Sequence, residues 1–206
     1  MIRCLAVVLG LAAVTVGAVA EPEPIPQDLA VAIAKMLTEK ADAQADAPFK
    51  LESDPQKATG LHKPEEAGLM VVPRKDLKME TVQGVEETNG MPTGYLFLYR
   101  ITPVVDGKAM PIAKLPTVTF KSDDGTEREI VALRLALKKE NEETWKLLVF
   151  GKDKKPLVAS TFRAEGNNSE LPLSVSVKDV GDKEGTLVVT VFGKYAADLK
   201  LGKAPE

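Results

Sequence analysis

One cysteine and one histidine leave this chain short of the side chains from which many catalytic and metal sites are built. Cys4 lies in the first few residues, ahead of an apolar run, so the remainder of the chain has no cysteine. That excludes a disulfide framework, a thiolate metal site and a cysteine nucleophile there. A closed zinc site would have to surround His62 with three carboxylates, an uncommon donor set. Aromatics make up only 5% of the residues, so the core must rest on Val, Leu, Ile and Ala. The same scarcity leaves few platforms for stacking sugars or bases. Charge of one sign is also missing: the formal net charge is −3, and no basic patch is interleaved with aromatics. A nucleic-acid surface, which would need clustered Lys and Arg, is not expected.

Several motifs are absent as well. No nucleophile elbow of the form G-x-S-x-G occurs, and neither glycine-rich phosphate loop, G-x-x-x-x-G-K-S/T or G-x-G-x-x-G, is present. The carboxylate clusters SDDGTE (122–127) and DVGDKEG (179–185) do not match a calcium loop and read as β-turns, where Gly supplies positive φ and Asp bonds its own backbone. No cofactor is expected. The soft ligands left outside the N-terminal run are His62, Met36, Met70, Met79, Met91 and Met110. Thioethers and imidazole suit Cu(I), which makes His62, Met70, Met79, Met91 and Met110 the weak metal candidates. No M-x-M or H-x-M spacing fixes them on one element, and Met36 and Met70 read as core.

What is present begins with an address. Residues 1–20, MIRCLAVVLGLAAVTVGAVA, combine Arg3, an apolar stretch and Ala18-Val19-Ala20. That is the pattern of a secretory signal peptide cleaved after Ala20, with an uncleaved anchor as the alternative. The protein is expected to be exported, periplasmic or extracellular, and free of the membrane once cleaved. Cys4 is in the wrong place for lipidation. Asn167-Asn168-Ser169 fits the N-glycosylation sequon.

Residues 21–27 form a proline-rich spacer, EPEPIP and Gln27. Asp28 can cap a helix over about 28–45, with alanine-rich sequence running to Ala47 and stopping at Pro48. Leu29, Ile33, Met36 and Leu37 recur at i, i+4, i+7 and i+8 on one face of it. They are the candidate partner-binding residues, because an amphipathic helix is a common docking element. Residues 48–93 read as irregular, with His62 in a loop and one short strand near 69–72.

The texture changes at Gly94. GYLFLYRITPVV, KLPTVTFKS, EIVALRLALKK, TWKLLVF, LVASTF, LPLSVSV, TLVVTVFG and YAADLKL are strand-like and separated by short turns such as Asp106-Gly107. In EIVALRLALKK, Val131, Leu133, Leu135 and Leu137 alternate with Ala132, Arg134, Ala136 and Lys138, the pattern of a strand buried on one face. Trp145 falls on a core face. Short connections favour antiparallel pairing. The expectation for 94–206 is an antiparallel β-sandwich of immunoglobulin-like size, about seven to nine strands, with a small antiparallel β-barrel as the alternative. The Cys-Trp-Cys marks of antibody domains are missing, so that likeness is architectural and carries no function. A chain of this length can bury roughly 70% of its unfolded surface without disulfides.

These readings converge on an exported, non-enzymatic structural or protein-interaction module. It would bind a protein through the N-terminal helix, a sheet edge or loops at one end. The alternatives are a hydrolase using a carboxylate pair and a periplasmic ligand or metal carrier.

Overall fold

The structure, a computed structural model, describes residues 21–64, 66–83, 90–121, 125–165 and 169–205. The signal segment, the Asn167-Asn168 sequon and most of the SDDG turn lie outside the described residues. The elements run β1 (Glu23–Pro24), α1 (Gln27–Asp42), β2 (Thr59–Lys63), β3 (Ala67–Pro73), α2 (Met79–Gln83), β4 (Met91–Tyr99), β5 (Ile101–Val105), β6 (Lys108–Ala109), β7 (Thr117–Lys121) and β8 (Glu127–Lys139). They continue as β9 (Trp145–Phe150), β10 (Val158–Thr161), β11 (Arg163–Ala164), β12 (Leu173–Lys178), β13 (Glu184–Val191) and β14 (Tyr195–Lys203).

Two antiparallel sheets form. The first runs β1-β2-β3-β4-β8-β9-β10, with β7 beside the first half of β8. The second runs β12-β13-β14-β5-β6, with β11 on β14. The chain is a β-sandwich and the sheets do not close into the alternative barrel. Two of its three sheet changes are made at a single residue, and the third runs through 110–116 between β6 and β7. Arg100, at φ 60°, separates β4 from β5, and Phe162 separates β10 from β11. Asp106-Gly107 makes the expected tight hairpin: Val105 pairs Lys108, and both turn residues have positive φ, at 51° and 75°. That is the backbone an Asp-Gly pair favours.

Between the sheets lies an aliphatic core of Leu96, Leu98, Leu133, Leu135, Leu147, Leu173, Leu187 and Val189, among others. Alternation put these residues on one face, and they occupy it. The other face of the first sheet differs from expectation. Ala132, Arg134 and Ala136 are buried, so β8 is covered on both sides. Over Ala132 and Arg134 the cover is α1, whose Ala30, Ala34, Leu37 and Ala41 pack with Val72, Tyr95, Phe97 and Ala132, and over Ala136 it is Phe49, packed with Leu148 and Phe150. Three alanines on the helix, and Ala132 on the sheet, leave room for the large Tyr95 and Phe97 between the two layers. A period-2 pattern of large and small apolar residues therefore marks a strand with two buried faces, one deep and one shallow.

Five local readings are corrected. The helix starts at Gln27 with Pro26 at its N-cap, so Asp28 is not the cap but sits in the first turn, where a carboxylate complements the helix dipole. It ends at Asp42, short of 45, where Ala43 N–H bonds back to Glu39 C=O. His62 is not in a loop. It lies on β2, paired with Gly68 of β3 on one side and Glu23 on the other. TGLHK has no alternation of its own and is half-exposed, so its strand state comes from its neighbours. Residues 73–93, read as irregular, include α2 and the first residues of β4. Trp145 is half-buried rather than core.

Candidate functional site

Several concavities flank the sandwich among the described residues, and two at one end share β2. The first, about 500 Å³, opens between the sheets where the β2–β3 hairpin faces the β12–β13 turn. Leu61, Leu69, Val177 and Leu201 are among its apolar lining. Its ionisable lining is mixed: His62, Lys63 and Glu66 from the hairpin, Asp182, Lys183 and Glu184 from the turn, and Lys203. Lys63 Nζ and a Glu66 carboxylate oxygen are 2.6 Å apart, so much of that charge is satisfied internally.

The second concavity is a groove of about 250 Å³ between α1 and the outer face of the first sheet. One wall is helical, from Leu29, Ile33 and Leu37. The other comes from strands, with Met70, Phe97, Phe120 and Ile130. The ionisable side chains along it are His62, Lys63 and Arg128, and no carboxylate is among the described lining residues. The Arg128 guanidinium lies 5.6 Å from the centroid of the Tyr99 ring, an attractive placement for a cation. A third hollow, about 370 Å³, sits at the opposite end and holds Trp145, Met79, Val82, Phe162 and Tyr195 beside Glu142, Glu143 and Arg163.

The helix residues singled out in the sequence divide. Leu29, Ile33 and Leu37 meet at the groove, and Met36 is not among its lining. Leu37 is buried against the sheet, Ile33 is half-buried, and Leu29 is 52% exposed. The soft-ligand candidates are spread apart. Met70 belongs to the helix-side cluster, while Met91 and Met110 belong to the core between the sheets. Met91 and Tyr99 are the ends of β4, about 26 Å apart at the rise of a strand. Tyr99 is the end that lies beside the partner of His62. Met79 lines the hollow at the far end. His62 and Met70 line the groove together. Among the described residues no group of three or more His, Cys, Asp or Glu is placed to hold a metal ion.

Sequence reasoning did not find Phe97, Tyr99, Phe120 or Arg128. A signal for two of them was present. Tyr95, Phe97 and Tyr99 recur every second residue, which sets an aromatic face on β4 opposite Leu96 and Leu98. In a chain so poor in aromatics, such a row points to a covered second face.

Two further polar clusters involve displaced ionisation, and the first borders the third hollow through Arg163. On the second sheet Asp198 accepts from Arg163 and Lys178, at 2.5 and 2.7 Å. Partial burial pulls its carboxyl upward, but the two cations more than offset this and hold it below the usual carboxylate range. All three side chains are well exposed, so the cluster is screened and contributes little. Beneath α1, Tyr95 donates to Asp42 at 2.5 Å, and burial, reinforced by that bond, pushes its phenol above its usual range.

Among the described residues no helix is long and apolar enough to cross a membrane. With its one cysteine, the chain can form no internal disulfide. The fold and these surfaces define a β-sandwich with a helix laid on its outer face. Comparison with family models, with curated proteins and with solved structures gives no match.

Proposed function

We propose that this chain is an exported, non-enzymatic protein-interaction module, and that its docking element is the groove between α1 and the first sheet. The occupant is an apolar segment of a partner protein. One observation carries the reading: apolar walls from two layers, Leu29, Ile33 and Leu37 on the helix and Met70, Phe97, Phe120 and Ile130 on the sheet, meet in an open groove. Leu29 stands exposed at that groove, as a docking residue would in the free protein. Export rests on residues 1–20 of the sequence.

The competing readings find less support. A carboxylate-pair hydrolase needs two carboxylates converging in a cleft with displaced ionisation. The displaced carboxylate among the described residues is Asp198, on an open sheet face and bound to two cations. A copper carrier needs thioethers gathered around His62, and Met91, Met110 and Met79 are distributed elsewhere.

The test uses two exposed apolar residues on different surfaces, Leu29 at 52% and Val180 at 43% exposure. Burying a leucine is worth about 1.5–3 kcal/mol, so Leu29→Asp is expected to weaken capture of a partner from the exported fraction about tenfold or more. Val180→Asp is expected to leave it unchanged. Equal loss with both variants contradicts the reading, as does equal retention. Direct binding of a free fatty carboxylate with no captured protein also contradicts it, assigning the groove to a small amphiphile instead.

A further inference from the structure

The N-terminal strand has a feature that a spacer does not require. Its register on β2 is antiparallel, with Glu23 opposite His62 and Pro24 opposite Leu61, and Ile25 N–H donates to Gly60 C=O at 2.9 Å. In an antiparallel pair, backbone donors point alternately toward the partner and away from it. Residue 25 points inward, and so does residue 23. The outward positions are 22, 24 and 26, and all three are proline. Proline has no N–H. The outer rim of β1 therefore offers no backbone donor at any of these positions.

We propose that residues 22–26 are a guard on the sheet edge, and that the edge they cover is a strand-pairing surface for a second copy of this chain. An uncovered strand edge is a template for another strand, and identical edges pair antiparallel about a twofold axis. β2 suits that pairing poorly protected. It carries no proline, and its charged residue is Lys63 at the far end. The guard is fastened at several points. Ile25 packs into the helix-side cluster, in the space left by Gly60, where a Cβ would come within 2.9 Å of Ile25 Cδ1. Gln27 Nε2 donates to Gln56 C=O at 3.0 Å, which ties the start of α1 to the segment leading into β2. Its inward face thus binds the sheet while its outward face cannot extend it. The inference does not rest on the reading of the groove, which lies on the helix side of the same edge and shares Ile25 with the guard.

The test restores donors without removing the guard. In the exported chain, Pro22→Thr with Pro24→Thr supplies two outward N–H groups on a β-favouring side chain and leaves Pro26 at the helix N-cap. Sedimentation equilibrium is expected to show a dimer at least about tenfold tighter than any self-association of the unsubstituted chain, since each symmetric pair adds several backbone hydrogen bonds. Thermal melting at low concentration stays unchanged, which separates pairing from misfolding. Deletion of residues 21–25, which bares β2 itself, is expected to dimerise as well. If both variants melt cooperatively and remain monomeric wherever the unsubstituted chain does, the proposal is overturned. It is equally overturned if the unsubstituted chain already pairs through this edge. Should the double variant lose its fold, Pro24→Thr alone provides the same reading with one donor.

Discussion

Arg134→Ala is expected to cost about 3 kcal/mol of stability, combining a large-to-small change at a buried site with a lost charged hydrogen bond. Arg134 is only 2% exposed and lies in the middle of β8, under the end of α1. Its Nη2 donates to Ala41 C=O at 2.9 Å, and its guanidinium stands 5.2 Å from the centroid of the Tyr95 ring. Ala41 belongs to the last turn of α1, where carbonyls have no partner within the helix and carry the negative end of its dipole. The arginine therefore closes the helix from below. Asp42 follows immediately and accepts from Tyr95, so the charge of the guanidinium is balanced through the ring and the helix end together. Truncation leaves a void beneath the helix and takes the charged donor from the Ala41 carbonyl, which keeps the weaker Gln44 N–H at 3.3 Å. For a domain of this size the melting temperature falls by roughly 6–12 °C. Arg134→Met retains the volume and removes the charge. Exchange of a buried ion for an apolar side chain is often near neutral, so its cost is expected to be about 1 kcal/mol. Urea denaturation of the three proteins checks the order. Equal stability of the alanine variant and the parent contradicts the role assigned to Arg134.

The second large effect is expected at Gly94. A Cβ built there would stand 2.5 Å from the Val72 carbonyl oxygen, 2.8 Å from Leu173 Cδ1 and 3.2 Å from Pro73 Cα. Two of those three atoms are backbone, so no rotamer change relieves the contact. Gly94 also lies at the irregularity where the β4–β8 register shifts between Pro92 and Gly94. Glycine within a strand marks such a bulge or a close approach, and here it marks both. Gly94→Ala is expected to cost about 2–3 kcal/mol, at the upper end for an overpacked core, and Gly94→Val to leave no cooperative transition. Far-ultraviolet circular dichroism during thermal unfolding reads both. A valine variant that melts like the parent contradicts the packing described between β3, β4 and β12.

These two residues also show where the sequence could be read and where it could not. LPLSVSV alternates cleanly, and Leu173 is buried with Val175 and Val177 packed partly against the same core. Asp106-Gly107 has one favoured backbone, and the structure adopts it. Such features are local, so the chain states them in one window. Arg134 sits in an equally legible strand, yet its burial depends on a helix more than ninety positions away in the chain. Alternation assigns it to the solvent face because period 2 reports which residues share a face and not what covers that face. The same gap hid the groove. Leu29, Ile33 and Leu37 were visible as a helical stripe, but Phe97 and Phe120 reach it only through sheet pairing. EPEPIP reads as a spacer from proline content alone, and only its register against β2 turns it into an edge strand.

The central claim is that a protein partner seats in the groove between α1 and the first sheet. The most direct measurement places a photo-crosslinking residue at position 29, 120 or 176 of the exported chain and identifies the products formed in the exported fraction. Positions 29 and 120 border the groove from its two walls, whereas Ser176 is exposed on β12 of the other sheet. The account predicts one partner species joined at both 29 and 120 and absent at 176. Products of equal yield at 176, or none at 29 and 120, would contradict it.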